Sequence, residues 1–146
     1  MSSSLPRLDH VNLTVADLPR TVSFFTSLGL ELAERMTIEG EFLDTVVGLH
    51  DARTETVWLR PPGGGGALEV SRYDRPGHVL TVPAPPHAVG LRAVCLEITD
   101  LRATVARLDD EGYALVGDVG EHEGTWLMAY VRGPEGIIVS LTERIG

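Results

Sequence analysis

Four stretches of this 146-residue chain put side chains capable of chemistry on one face and aliphatic side chains on the other. Residues 8–15 set His10, Asn12 and Thr14 against Val11, Leu13 and Val15, and residues 67–73 set Ala67, Glu69 and Ser71 against Leu68 and Val70. In the second half, Ala93, Cys95 and Glu97 alternate with Val94 and Leu96, and Ile138, Ser140 and Thr142 with Val139 and Leu141. A period of two marks strands with unlike faces. Unpaired polar groups inside a strand-rich pocket cost about 1–3 kcal/mol each, so a face bearing His, Asn, Glu, Ser and Thr is expected to line a space filled by ligand or water. A histidine and a carboxylate are also the parts from which proton transfer can be built.

The elements that must carry these faces occur twice. A shift of 83 lays Leu8 on Leu91, Val11 on Val94, Leu13 on Leu96, Asp17 on Asp100, Leu18 on Leu101, Val22 on Val105 and Gly29 on Gly112 without a gap. The ends of the halves agree too, with Leu59-Arg60-Pro61-Pro62-Gly63 resembling Val131-Arg132-Gly133-Pro134-Glu135. Similarity at so long a period indicates two copies of one module. In each, the alternating strand is followed by a helix. Asp17 is the expected N-cap with Pro19 in the first turn, Val22, Phe25 and Leu28 recur at helical spacing, and Gly29 stops the helix. Asp100, Leu101, Val105, Leu108 and Gly112 repeat that grammar. Further strands are expected at 31–38, 55–60, 67–73, 113–120, 125–132 and 137–142, while 41–50 fits a short helix or a strand equally. The pattern gives an α+β fold of two tandem βαβββ modules, about 7–76 and 90–146, in a single domain spanning 1–146. A proline-rich linker covers about 77–89. The sheet faces not covered by helices are expected to form a concave cavity shared by the modules.

Twelve Lys and Arg against twenty-one Asp and Glu give a net charge of −9, which argues against nucleic acid and anionic membrane surfaces as partners. No apolar run reaches the ~18 residues that span a bilayer. The stretch Met1 to Arg7 has no apolar core of a secretory signal, so a cytoplasmic location is expected. The lone Cys95 excludes an internal disulfide. Gly63–Gly66 lacks the lysine of a phosphate loop and reads as a hairpin connection.

Leu8-Asp9-His10-Val11, followed by Asp17-Leu18 and a helix ending Leu28-Gly29-Leu30, resembles the vicinal oxygen chelate superfamily, which includes glyoxalase I, extradiol dioxygenases, methylmalonyl-CoA epimerase and the bleomycin resistance proteins. Arg132-Gly133-Pro134-Glu135-Gly136 through Leu141 resembles its closing motif, and the likeness covers nearly the whole chain. The resemblance implies a divalent metal drawing one ligand from each of four strands, at positions matching His10, Glu69, Ala93 and Ser140. Here only His10 and Glu69 can ligate well, so the set is incomplete and ordinary glyoxalase I chemistry is not expected.

His10 and Glu69 sit on strands that neighbour each other in the family's first module, and glutamate can fix the histidine's tautomer while the imidazole moves a proton. That suits isomerisation, epimerisation, elimination or cyclisation next to a carbonyl. Asn12, Thr14, Ser71, Cys95 and Ser140 are the expected substrate-binding residues, with Trp126, Met128 and Tyr130 as an apolar wall at strand spacing. Arg72 and Tyr73 are expected at the rim. His122, between Glu121 and Glu123, is expected in a hairpin loop, and His50, His78 and His87 at the surface. Two functions are open: an enzyme of lyase or isomerase type acting on a small oxygenated metabolite through His10 and Glu69, or a non-catalytic protein that sequesters an apolar or aromatic compound. A metal-dependent lyase or dioxygenase with an atypical ligand set is a further alternative. Retention of His10 and Glu69 favours the enzyme, and loss of the second-half ligands favours the binder. The resemblance also implies a homodimer.

Overall fold

The computed structural model describes residues 5–146; Met1–Ser4, part of the stretch read for a leader, lie outside it. The chain divides into two compact units, residues 1–80 and 81–146. The first contains strand β1 (His10–Thr14), helix α1 (Leu18–Ser27), β2 (Glu31–Glu39), α2 (Glu41–Val47), β3 (Arg53–Arg60) and β4 (Ala67–Arg75). The second contains β5 (Ala93–Glu97), α3 (Leu101–Asp110), β6 (Gly120–His122), β7 (Trp126–Arg132), a 3-10 turn (Pro134–Gly136) and β8 (Ile138–Arg144). Each unit is a four-stranded mixed sheet, ordered β1-β4-β3-β2 and β5-β8-β7-β6. The β1–β4 and β5–β8 pairs are parallel and the rest antiparallel. The expected α+β class and tandem modules are what the fold contains.

Helix α1 forms where its signals predict. Asp17 caps it, its carboxylate accepting the Arg20 amide at 3.1 Å, and Gly29 turns the chain out at φ +110°. Val22, Phe24 and Phe25 are buried against the sheet, with Phe25 wholly enclosed beside Val57, Leu59, Leu68 and Val70 of the core. In the second unit Leu101, Leu108, Val131, Val139 and Leu141 play the same part. Val11 and Leu13 are only half-buried, since β1 lies at the sheet edge.

One open expectation is resolved and two change. The ambiguous 41–50 segment is helical over Glu41–Val47, with Gly48 supplying a left-handed C-cap and Asp44 tying the helix to the turn before β3 by accepting the amides of Asp51 and Ala52 at 2.9 and 2.8 Å. The strand expected over 113–120 is reduced to a bridge between Leu115 and Val131 and the short β6. Its backbone pairs locally, the Val116 amide donating to Tyr130 and that of Arg132 to Ala114. Asp100 does not cap α3 as Asp17 caps α1. It sits at φ +55° with no side-chain cap bond, and the Glu143 carboxylate on β8 receives the Asp100 and Leu101 amides at 3.0 and 2.9 Å instead. A capping carboxylate held by a neighbouring strand satisfies the same orphan donors.

Replacing Glu143 by Ala should therefore destabilise the protein by about 1–2 kcal/mol, the worth of a strong cap, in urea unfolding. Asp100→Gly should stay within about 0.5 kcal/mol of wild type, because glycine accepts the left-handed backbone. A neutral Glu143→Ala would contradict this assignment of the cap.

Candidate functional site

The polar side chains of the first unit meet on the sheet face opposite α1. Parallel pairing puts His10 across from Ala67, Asn12 from Glu69 and Thr14 from Ser71, and antiparallel pairing puts Trp58 across from Glu69 and Thr56 from Ser71. Register irregularities occur only near Leu32–Glu34 and Arg53–Thr54, away from His10 and Glu69. The alternation read from the sequence is therefore kept where it matters.

His10 is held on both sides. Its Nδ1 lies 2.7 Å from Asp9 Oδ2 and its Nε2 lies 3.4 Å from Glu69 Oε2. The Trp58 ring stands edge-on to the imidazole, centroids 4.7 Å apart, and the Arg60 guanidinium lies 6.0 Å from the Trp58 ring. Asp9 precedes β1, so it is not bound by strand alternation and can turn toward the ring of its neighbour, while its backbone carbonyl accepts the Ala67 amide at 3.0 Å. Glu69 is fixed at its other oxygen, where Oε1 accepts from Asn12 Nδ2 at 2.9 Å and from the Ser71 hydroxyl at 3.4 Å. Thr14 donates to Asn12 Oδ1 at 3.4 Å. The His10 and Glu69 side chains are 34% and 21% exposed, enough for a ligand to reach both.

The expected site residues divide between the units. His10, Asn12, Thr14, Glu69 and Ser71 share the face in the first. Cys95, Ser140, Tyr130 and Met128 share a face in the second, with Cys95 and Tyr130 both across from Ser140, and Met128 across from Thr142. Cys95 is exposed and Ser140 buried there, and Trp126 lies under the Arg144 guanidinium at 5.3 Å. Ala93 and Ser140 hold the second-unit positions that correspond to His10 and Glu69. His122 closes β6 instead of standing in a loop, and pairs with Glu123 at 3.6 Å in the open. Sequence reasoning missed three groups. Asp9 stood in the quoted motif, but nothing marked it as more than a surface acid. Thr54 and Thr56 carried no signal beyond strand propensity.

As a metal centre, the first unit's face offers two donors, His10 Nε2 and Glu69 Oε2. Asn12 turns its amide N–H toward Glu69, and the Ser71 hydroxyl is engaged by Thr56 and Glu69. Among the described residues, no three His, Cys, Asp or Glu side chains are grouped to hold a metal ion. This falls short of the three protein ligands usual in a catalytic metal site, so the residues of this face do not fit one by themselves.

The model of the Glyoxalase/Bleomycin resistance protein/Dioxygenase superfamily matches residues 7–141, and the chain belongs to that superfamily. A glyoxalase family protein from Bacillus cereus is 34% identical, with TM-score 0.94 over 99% of this chain and 97% of that one. A glyoxalase/bleomycin resistance protein/dioxygenase domain from Frankia is 23% identical, with TM-score 0.65 over 97% and 93% of the two chains. The trypanothione-dependent glyoxalase I of Leishmania major is 18% identical, with TM-score 0.64 over 95% and 87%. The last two share the fold. No protein of curated function matches the sequence. Among the described residues, no helix is long and apolar enough to cross a membrane.

The Asp9 carboxyl is held below the usual carboxylate range, first by its hydrogen bond to His10 and then by the charges of His10, Arg60 and Arg7. A depressed value means the folded protein favours ionised Asp9. That contribution is present above the ordinary carboxylate value and fades as pH falls through the depressed one. In carbon-detected NMR, Asp9 should titrate below the ordinary aspartate value, and in His10→Ala its midpoint should rise toward that value. An unchanged midpoint in that variant would show that His10 does not hold Asp9.

Proposed function

We propose that the chain is an enzyme of lyase or isomerase type that binds a small oxygenated metabolite against this face and moves a proton with His10. The observation that carries this reading is the imidazole set between two carboxylates, Asp9 at 2.7 Å and Glu69 at 3.4 Å. A neutral ring that donates Nδ1–H to Asp9 leaves the Nε2 lone pair free to take a proton from carbon next to a substrate carbonyl. The resulting imidazolium is flanked by both carboxylates, and the proton then returns to the same or a neighbouring carbon. Asp9 orients the base, following the nucleophile–base–orienter logic of hydrolytic triads. Glu69 Oε2 beside Nε2 stabilises the protonated ring. Asn12 and Thr14 are proposed to meet substrate oxygens, while Ser71, expected from the sequence to do the same, is enclosed at 3% exposure and holds Glu69 instead. No step runs through a metal, although His10 and Glu69 are the two residues of this face that would ligate one.

A second reading is sequestration of an apolar or aromatic compound. It is supported by β7, where half-buried Trp126 and Tyr130 flank Met128, itself 46% exposed, on one face. Cys95 and Ser140 would complete that binding surface. A metal-dependent lyase or dioxygenase with an atypical ligand set has no comparable support. We also read residues 1–146 as one functional domain, acting in the cytoplasm as a homodimer. Self-association is supported by the bare apolar side chains of Val79, Leu80, Val82, Val89 and Leu91 between the two sheets in sequence.

The test is solvent exchange. Wild-type protein is incubated in D2O with a panel of 2-oxo acids, 2-hydroxy acids and 1,2-dicarbonyls, and loss of C–H signals is followed by proton NMR. Exchange at one compound class is expected, lowered by at least about 100-fold in His10→Ala and by about tenfold in Asp9→Asn. If no compound exchanges, yet saturation-transfer signals of a bound aromatic probe survive in His10→Ala, sequestration is the function.

A further inference from the structure

Behind Glu69, the first sheet contains a row of hydroxyls that no ligand could reach directly. Ser71 Oγ lies 3.1 Å from Thr56 Oγ1, and Thr56 Oγ1 lies 3.1 Å from Thr54 Oγ1. Thr54 and Ser71 are 3% exposed and Thr56 is fully enclosed. Strands β3 and β4 produce the row, because Thr54 and Thr56 fall on the same face of β3 and Thr56 stands opposite Ser71. Valine would fill these threonine positions at similar volume. A hydroxyl inside a sheet instead requires a partner, since a buried unpaired one is costly. Three hydroxyls in a row supply partners to each other only if all donate in one sense, and the acceptor at the open end decides which.

That acceptor is the Glu69 carboxylate. Ser71 donates to Oε1 at 3.4 Å, so Thr56 must donate to Ser71 and Thr54 to Thr56. Every hydroxyl proton in the row then points toward Glu69, and the dipoles reinforce one another in a water-poor setting. Asn12 joins from β1, with Nδ2 at 2.9 Å from Glu69 Oε1 and 3.4 Å from Ser71 Oγ. The row and Asn12 converge on Oε1, with Asn12 donating also to the Glu69 backbone carbonyl at 3.3 Å, and none of these donors reaches Oε2. We propose that Thr54 and Thr56, acting through Ser71, are positioning residues that lock one oxygen of Glu69 so that the other is presented to His10. This rests on the proton-transfer reading for its functional meaning, but the geometry it describes is independent of turnover.

The experiment separates the two. Ligand-free protein labelled with 15N in its histidine rings is compared as wild type, Thr56→Val and Thr56→Ser, reading the His10 Nε2 resonance, which reports the proton and carboxylate beside it. Solvent exchange is then measured on the same samples. The expected result is a displaced Nε2 resonance and a kcat lowered about fivefold with KM unchanged in Thr56→Val, with both restored in Thr56→Ser. An Nε2 resonance identical in Thr56→Val and wild type would overturn the proposal, even if the valine variant were less stable. A displaced resonance in a protein that exchanges no carbon acid would sustain the positioning of Glu69 while removing the proton-transfer reading. Should Thr56→Val not fold, Thr54→Val and Ser71→Ala provide the same readout, and unchanged Nε2 signals in both would overturn it equally.

Discussion

Strands β1 and β4 run parallel at the edge of the first sheet, with His10 opposite Ala67 and Asn12 opposite Glu69. Everything on the polar face depends on that register. Glu69 is therefore not directly across from His10 but two residues further along, the next position on the same face, and its carboxylate reaches back to Nε2. Opposite the imidazole stands only the methyl of Ala67, which leaves the ring space to meet Trp58 and Glu69 together. A slip of one residue would turn His10 and Asn12 to the α1 side and bring Val11 and Leu13 onto the polar face. The core prevents this, because Leu68 and Val70 are committed beneath α1. Packing on one side of the sheet thus determines the chemistry on the other.

The two units show one backbone carrying different polar side chains on its free sheet face. Their strand orders and parallel edge pairs correspond, and α3 follows β5 as α1 follows β1, while α2 has no counterpart among the described residues of the second unit. Yet the second unit has Ala93 and Ser140 where the first has His10 and Glu69. Even the helix caps diverged. Asp17 caps α1 from its own side chain, whereas α3 relies on Glu143 from β8. Fold and function are separable in such a duplication, since burial of one sheet face preserves the architecture while the other face is free to change. Membership of the superfamily consequently says less about reaction than do the contacts of His10.

Much of this was legible before any coordinates. The period-two alternation and the 83-residue repeat gave the modules, and Asp17, Pro19 and Gly29 bounded the first helix, because each signal is local. Partners that depend on three dimensions were not. Nothing local tells that Glu143 replaces Asp100 as a cap, since the two residues are 43 apart in sequence. Residues 113–120 alternate well enough for a strand but lack a continuous partner, so only Leu115 and the short β6 pair. Asp9 escaped notice because adjacent strand residues normally face opposite ways; it lies one residue before β1, where that rule stops. Thr54 and Thr56 look like ordinary strand threonines until their hydroxyls are found enclosed and in a row with Ser71.

In the proposed proton transfer, Asp9 fixes His10 with Nε2 as the working nitrogen. Ring 15N chemical shifts of His10, recorded at a pH where the imidazole is neutral, measure this directly. A proton on Nδ1, donated to Asp9, and a lone pair on Nε2 are expected, with the preference relaxing in Asp9→Asn. A proton on Nε2, donated toward Glu69 and indifferent to Asp9, would be the opposite result, because that nitrogen would then have no lone pair with which to act as a base.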